Sequence, residues 1–210
     1  FLGSSEVSEE SNVAVDSMAV TEFIYARDRG AVEGGTYNAG DEYQAGNTFD
    51  IFVDATLKGI DVQISNFTAG NPEITGYVYS ISATGDPEPL QQTAPYILTA
   101  SDVTDGAYLT LDLLFPVNLA AGQPYLVTVG SLGDAGASND LVIATSGGTN
   151  LPQSTSYYDG TDGFWYYTTS LPIVRMNFDP SIGVDENDAN SMALGQNVPN
   201  PANNTTAIHY

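Results

Sequence analysis

The chain has 210 residues, 42% of them hydrophobic, and carries 26 acidic side chains against four bases for a formal net charge of −22. That length and apolar content suit one all-β domain with its own core and short tails. The charge excludes nucleic acid and anionic lipid as partners, because Arg27, Arg29, Lys58 and Arg175 cannot neutralise a phosphate surface. Cysteine is absent, which removes disulfides and thiol chemistry. No apolar run is long enough to cross a membrane as a helix, so direct membrane insertion is not expected.

In chain order, residues 1–17 are acidic and serine-rich and read as a flexible lead-in. A domain is expected over residues 18–179. Its first strand is predicted at residues 19–27, followed by a glycine-rich connection with a short strand near Thr36 and Tyr37. Residues 48–54 alternate cleanly, with Phe49, Ile51 and Val53 on one face. Residues 59–65 repeat the pattern with Ile60, Val62 and Ile64 against Asp61 and Gln63. A tyrosine-rich strand is predicted at residues 74–82. Pro87 and Pro89 then break it, since proline cannot donate to a central ladder. A further strand is read at residues 92–98.

Residues 107–129 hold the strongest pattern. Leu109, Leu111, Leu113, Phe115 and Val117 alternate with Tyr108, Thr110, Asp112, Leu114 and Pro116, and Tyr125, Val127 and Val129 alternate with Leu126 and Thr128 after the loop at 118–123. Two strands joined by a reversal, placed in the middle of the core, are the expectation. Short strands follow at residues 141–145, 154–158, 163–169 and 171–179, the third and second flanking the turn DGTDG. Nine to ten short strands without helical periodicity imply a two-sheet antiparallel β-sandwich, jelly-roll-like, with extended terminal segments. Residues 180–193 are acidic and read as a linker.

The tail, residues 194–210, is LGQNVPNPANNTTAIHY. Pro199 and Pro201 fix a turn, and residues 205–210 are β-prone. Leu194, Gln196, Asn197, Pro199, Asn200, Pro201, Thr205, Thr206, Ile208 and Tyr210 resemble the start of the type A C-terminal sorting domain of proteins exported by the type IX secretion system of Bacteroidota. The family has an aromatic where this chain has Val198, and its later strands and basic end are not present here. The resemblance implies a longer parent protein, the type IX secretion machinery as a partner, outer-membrane passage, and an extracellular or cell-surface location. Asp16, Ser17 and Met18 also resemble the O-glycosylation acceptor pattern of that phylum.

Candidate chemistry is sparse. His209 is the single histidine and lies in the tail, which opposes a Ser-His-Asp arrangement. Carboxylates are abundant, but no pair stands out as general acid and base, so catalysis is not expected. No cofactor is expected, with calcium as the one metal suited to these oxygen ligands. Asp159 and Asp162 are its weak candidates, beside Asp134 with Asp140 and Asp185 with Asp188; acids next to glycine also form turns.

Tyr157, Tyr158, Phe164, Trp165, Tyr166 and Tyr167 form the densest aromatic cluster. Alternation turns half of them toward the core. The others, with Tyr157, Tyr158, Trp165 and Tyr167 as candidates, can stack against the apolar faces of sugar rings. The first functional expectation is a non-catalytic structural or adhesive surface module. In a second form it is a filament subunit that polymerises by strand addition. A carbohydrate-binding module, calcium-assisted, is the alternative, with a surface glycan as partner.

Overall fold

A computed structural model describes residues 18–37, 41–104, 106–133, 140–149 and 151–181. The lead-in at 1–17, most of the linker and every residue of the sorting-type tail lie outside the described residues. Fifteen strands and no helix are formed within them. In order they are β1 (Ala19–Val20), β2 (Ile24–Ala26), β3 (Gly34–Thr36), β4 (Tyr43–Asp50), β5 (Ala55–Val62), β6 (Glu73–Ile81), β7 (Pro87–Gln92) and β8 (Tyr96–Ile97). Then come β9 (Leu109–Leu119), β10 (Pro124–Ser131), β11 (Ile143–Gly148), β12 (Thr155–Asp159), β13 (Phe164–Tyr167), β14 (Ser170–Pro172) and β15 (Val174–Asn177).

These strands build an antiparallel β-sandwich. One sheet runs β1-β2-β15-β5-β9 and the other β13-β12-β4-β10-β6-β7, with β8 also paired to β6. A small sheet, β14-β11-β3, extends the first. The junction is Ile173, which donates its N–H to the Ala144 carbonyl at 2.8 Å and accepts from the Gln63 N–H at 3.1 Å. Period-two alternation explains the core. Leu57, Ile60, Val62, Val174 and Met176 from the first sheet and Ala45, Phe49, Ile74, Val78, Val127 and Val129 from the second belong to one buried cluster. Each of the larger side chains contributes about 1.5–3 kcal/mol through burial.

One polar side chain crosses that core. Asn47 on β4 is fully buried, and its Nδ2 donates to the carbonyls of Pro172 and Val174, both at 2.9 Å. It ties the seven-stranded sheet to the β14–β15 segment. Its Oδ1 has no hydrogen-bond partner among the described residues.

Several expectations are corrected. β9 and β10 do not pair: β9 hydrogen-bonds to β5 at the edge of one sheet, whereas β10 sits between β4 and β6 in the other. The loop between them is an arch from sheet to sheet. Alternation is a local signal and does not name the partner strand. Opposite Lys58, β9 bulges between Asp112 and Val117, and Phe115 there is 72% exposed instead of facing the core. The prolines do enter a strand, β7, at the sheet's edge, where a missing donor costs little. The single strand expected at 19–27 is a hairpin, β1–β2, turned by Thr21, whose hydroxyl accepts from the Ile24 N–H at 3.0 Å. The strand expected at 48–54 is β4, starting at Tyr43 and ending at Asp50, which leaves Phe52 and Val53 exposed. The predicted strand at 171–179 is split at Ile173 between two sheets.

The outer face of the five-stranded sheet is not simply wet. Asp61, Gln63 and Asn177 are buried there. Asn177 Nδ2 donates to both Asp61 oxygens at 2.9 and 3.0 Å, and the Thr110 hydroxyl donates to Asp61 Oδ1 at 2.7 Å. Beside them Arg175 makes a two-pronged pair with Asp28, Nε to Oδ2 at 2.7 Å and Nη2 to Oδ1 at 2.5 Å. The guanidinium carbon stands 4.2 Å from the centre of the Tyr108 ring.

Candidate functional site

The DGTDG turn closes the β12–β13 hairpin, with Tyr157 opposite Tyr166, Tyr158 opposite Trp165 and Ser156 opposite Tyr167. Pleating then divides the aromatic cluster. Tyr157 packs against the core, 6.2 Å from Tyr43, and stacks at 5.3 Å on Tyr166, which stays exposed at the sheet's edge. Tyr158, Trp165 and Tyr167 occupy the opposite, outer face. Of the four platform candidates, the structure therefore groups three and assigns Tyr157 to the core side.

A second aromatic group joins them from β6, which the sequence did not connect to the first. The Trp165 and Tyr79 ring centres are 5.3 Å apart, edge to face, and Tyr158 lies 5.4 Å from Trp165. Tyr77 lies 6.2 Å from Tyr79. Three strands, β12, β4 and β10, separate β13 from β6. On a flat sheet the two backbones would be about 19 Å apart. The rings are nevertheless in contact, so the outer face bends between these strands. Gly46 on β4 marks the tightest point: a Cβ there would run into the Val127 carbonyl and the Thr128 backbone.

The joined rings cover a polar floor. Gln44 Oε1 accepts from the Tyr79 hydroxyl at 2.8 Å and from the Thr128 hydroxyl at 2.9 Å, and both Gln44 and Thr128 are buried. Burial drives the Tyr79 phenol up to about 12, because a phenolate there would lose its water. Tyr77 is raised for the same reason.

Beside this cover a groove of about 390 Å³ opens on the same face. Thr48, Leu126 and Ser156 line its floor, Trp165 and Tyr167 one wall, and the β6–β7 turn with Thr84, Gly85 and Asp86 the other. That turn is cross-linked by local bonds: the Thr84 hydroxyl donates to Asp86 Oδ2 at 2.6 Å and the Asp86 N–H donates to the Ser82 hydroxyl at 3.0 Å. Gly85 adopts a φ of +91°, which suits glycine alone. Asp86 is the one carboxylate in the lining, and no base lines it. Its described lining offers aromatic faces, hydroxyls able to donate and accept, and a single acid.

The calcium candidates are engaged in the hairpin turn. Asp159 Oδ1 accepts from the Thr161 N–H at 2.9 Å. Asp162 Oδ1 accepts from the Phe164 N–H at 3.0 Å, and Oδ2 from the Tyr166 hydroxyl at 2.5 Å, which raises the Tyr166 pKa. Asp140 pairs with Ala69 through its backbone. Asp134, Asp185, Asp188 and His209 lie outside the described residues, as do Leu194, Gln196, Asn197 and the other sorting-type positions. Among the described residues no three His, Cys, Asp or Glu side chains gather in a way that could hold a metal ion. Among them, too, no helix is long and apolar enough to cross a membrane.

The chain matches no protein-family model, and no curated protein is significantly similar to it.

Proposed function

We propose that the chain is a non-catalytic, surface-displayed β-sandwich module that holds a carbohydrate in the groove beside Trp165. The observation behind this reading is the meeting of Trp165 and Tyr79 across three intervening strands, which gives the sheet a concave aromatic face with Tyr167 at its edge. Sugar rings stack on such faces through their C–H patches, and the flanking Thr48, Ser156 and Thr84 hydroxyls suit their OH groups. A single carboxylate in the lining supports retention over cleavage, since glycoside hydrolysis generally uses two carboxyls flanking the bond. Export by type IX secretion and an extracellular address rest on the tail's resemblance alone.

The test is retention of the purified chain on insoluble and gel-embedded polysaccharides. Tyr167 is 57% exposed, so Tyr167→Ala leaves the fold intact. It should weaken binding about three- to tenfold, the worth of one stacking face. Unchanged retention by a folded Tyr167→Ala variant overturns the reading.

A second reading, polymerisation by strand addition, is favoured by β13. Among the described residues it pairs only with β12, stands at the sheet's edge, and exposes Phe164 and Tyr167. Light scattering across a wide concentration range tests it, and a monomer throughout rules it out.

A further inference from the structure

We infer that the groove takes an internal stretch of a neutral polysaccharide chain, with Tyr167 and Gln153 dividing it into two subsites. This inference rests on the carbohydrate reading and adds the ligand's charge class, its minimum length and the residue that senses length. A second hollow, of about 510 Å³, lies next to the first and is lined by Leu151, Pro152, Thr168 and Thr169. The two share two residues, Gln153 and Tyr167. Each alone falls within the range of small-ligand sites, about 300–1,000 Å³. Side by side at Tyr167, their linings run from the β6–β7 turn to the loop before β12.

Gln153 sits at the divide in an unusual conformation. Its φ of +62° is the one left-handed value at a non-glycine position among the described residues. The loop around it is clamped: the Ser154 hydroxyl donates to the Leu151 carbonyl at 2.9 Å, and the Leu151 N–H donates to the Thr149 hydroxyl at 3.1 Å. A strained backbone held by its surroundings is characteristic of a working position. Glycine would fit this φ without strain, so the Gln153 side chain can be removed without a backbone penalty. Its place between the hollows suits it to bond a sugar hydroxyl on either side.

The ligand is not anionic. Neither hollow is lined by Lys or Arg. Arg27 and Arg175 pair with Asp50 and Asp28, Arg29 donates to the Gly148 carbonyl, and Lys58 lies on β5 in the other sheet. Asp86 in the lining and the net charge of −22 repel uronates and sulfates.

The experiment has two stages. Wild-type chain, Tyr167→Ala and Gln153→Gly are run by affinity electrophoresis through mixed-linkage β-glucan, xylan, galactomannan, starch and alginate, with a proline-rich peptide as a separate probe. Oligosaccharides of the retained polysaccharide, disaccharide to hexasaccharide, are then titrated. A neutral polysaccharide should be retained and alginate not. Affinity should rise about tenfold or more from disaccharide to hexasaccharide, since a second subsite adds its own contacts. Gln153→Gly should melt no lower than wild type, yet flatten that rise. A hexasaccharide bound no better than a disaccharide, or an unflattened rise in Gln153→Gly, refutes the two-subsite inference. In that case loss of retention in Tyr167→Ala still upholds the module reading. Preferential retention of alginate refutes the charge class. Binding of the peptide with no polysaccharide retained, or no binding at all, overturns both.

Discussion

Arg175→Met is the perturbation whose cost follows most directly from the geometry. The Asp28 side chain is 0% exposed and Arg175 is 20% exposed. The pair is held by two charged hydrogen bonds at 2.7 and 2.5 Å, and Asp28 Oδ1 also accepts from the Gly30 N–H at 2.9 Å. Methionine keeps most of the aliphatic stem over Tyr108 but leaves the carboxylate buried with the backbone donor as its remaining partner in this arrangement. Removing one member of a buried pair costs about 3–5 kcal/mol, and Arg175's partial exposure sets the expectation near 3 kcal/mol. For a domain of this size that lowers the melting temperature by about 6–12 °C. Adding Asp28→Asn removes the stranded charge, so the double variant should lose less than the single, giving a coupling of at least about 2 kcal/mol. Urea denaturation followed by fluorescence of Trp165, the one tryptophan, measures all four states. An Arg175→Met cost below about 1 kcal/mol, or strictly additive variants, would refute the reasoning.

Two further outcomes follow from buried polar groups. Asn47→Asp should be far worse at neutral pH than Asn47→Ala. The alanine loses two bonds, about 2–3 kcal/mol, whereas a carboxylate faces two carbonyl oxygens with nothing to donate. The neutral acid binds its proton more tightly folded than unfolded, so Asn47→Asp should regain stability as pH falls toward 4, and an acid-insensitive variant counts against it. In alkali the wild type should weaken. Tyr79 is shifted from 10.0 to about 12 and Tyr43 is raised too, chiefly by burial. The unfolded chain therefore gives up protons that the folded one keeps. Stability is full below about pH 10 and falls as pH rises toward 12, by up to about 2 kcal/mol for Tyr79. Urea midpoints that hold steady to about pH 11.5 would contradict this.

The all-β class and many buried faces were legible because alternation is written into short stretches. Ile60, Val62 and Ile64 turn inward as their spacing says, and Tyr157 and Tyr158 part to opposite faces of β12. Partnership was not legible. β9 and β10 share a pattern and a short loop, yet join different sheets, since pairing is decided by residues far away in sequence. Half of the candidate site was hidden for the same reason. Trp165 and its neighbours were visible as a cluster, whereas Tyr79 joins it from β6, beyond three intervening strands. Asp61, Gln63 and Asn177 looked like a solvated side because polar residues in period two usually are one; their mutual bonding lets them be buried. Gln153 carries no sequence signal of a left-handed backbone.

The position of β15 has a consequence for biogenesis. This strand, Val174–Asn177, lies between β2 and β5, two segments made more than a hundred residues earlier. Until it emerges from the ribosome, one layer of the sandwich is cleft in two, and its inner side chains have nothing to close upon. Compaction therefore waits for nearly the whole domain to be synthesised, as expected where distant pairings dominate. Such a polypeptide stays loose along most of its length and sets only once its last strand can join both neighbours at the same time.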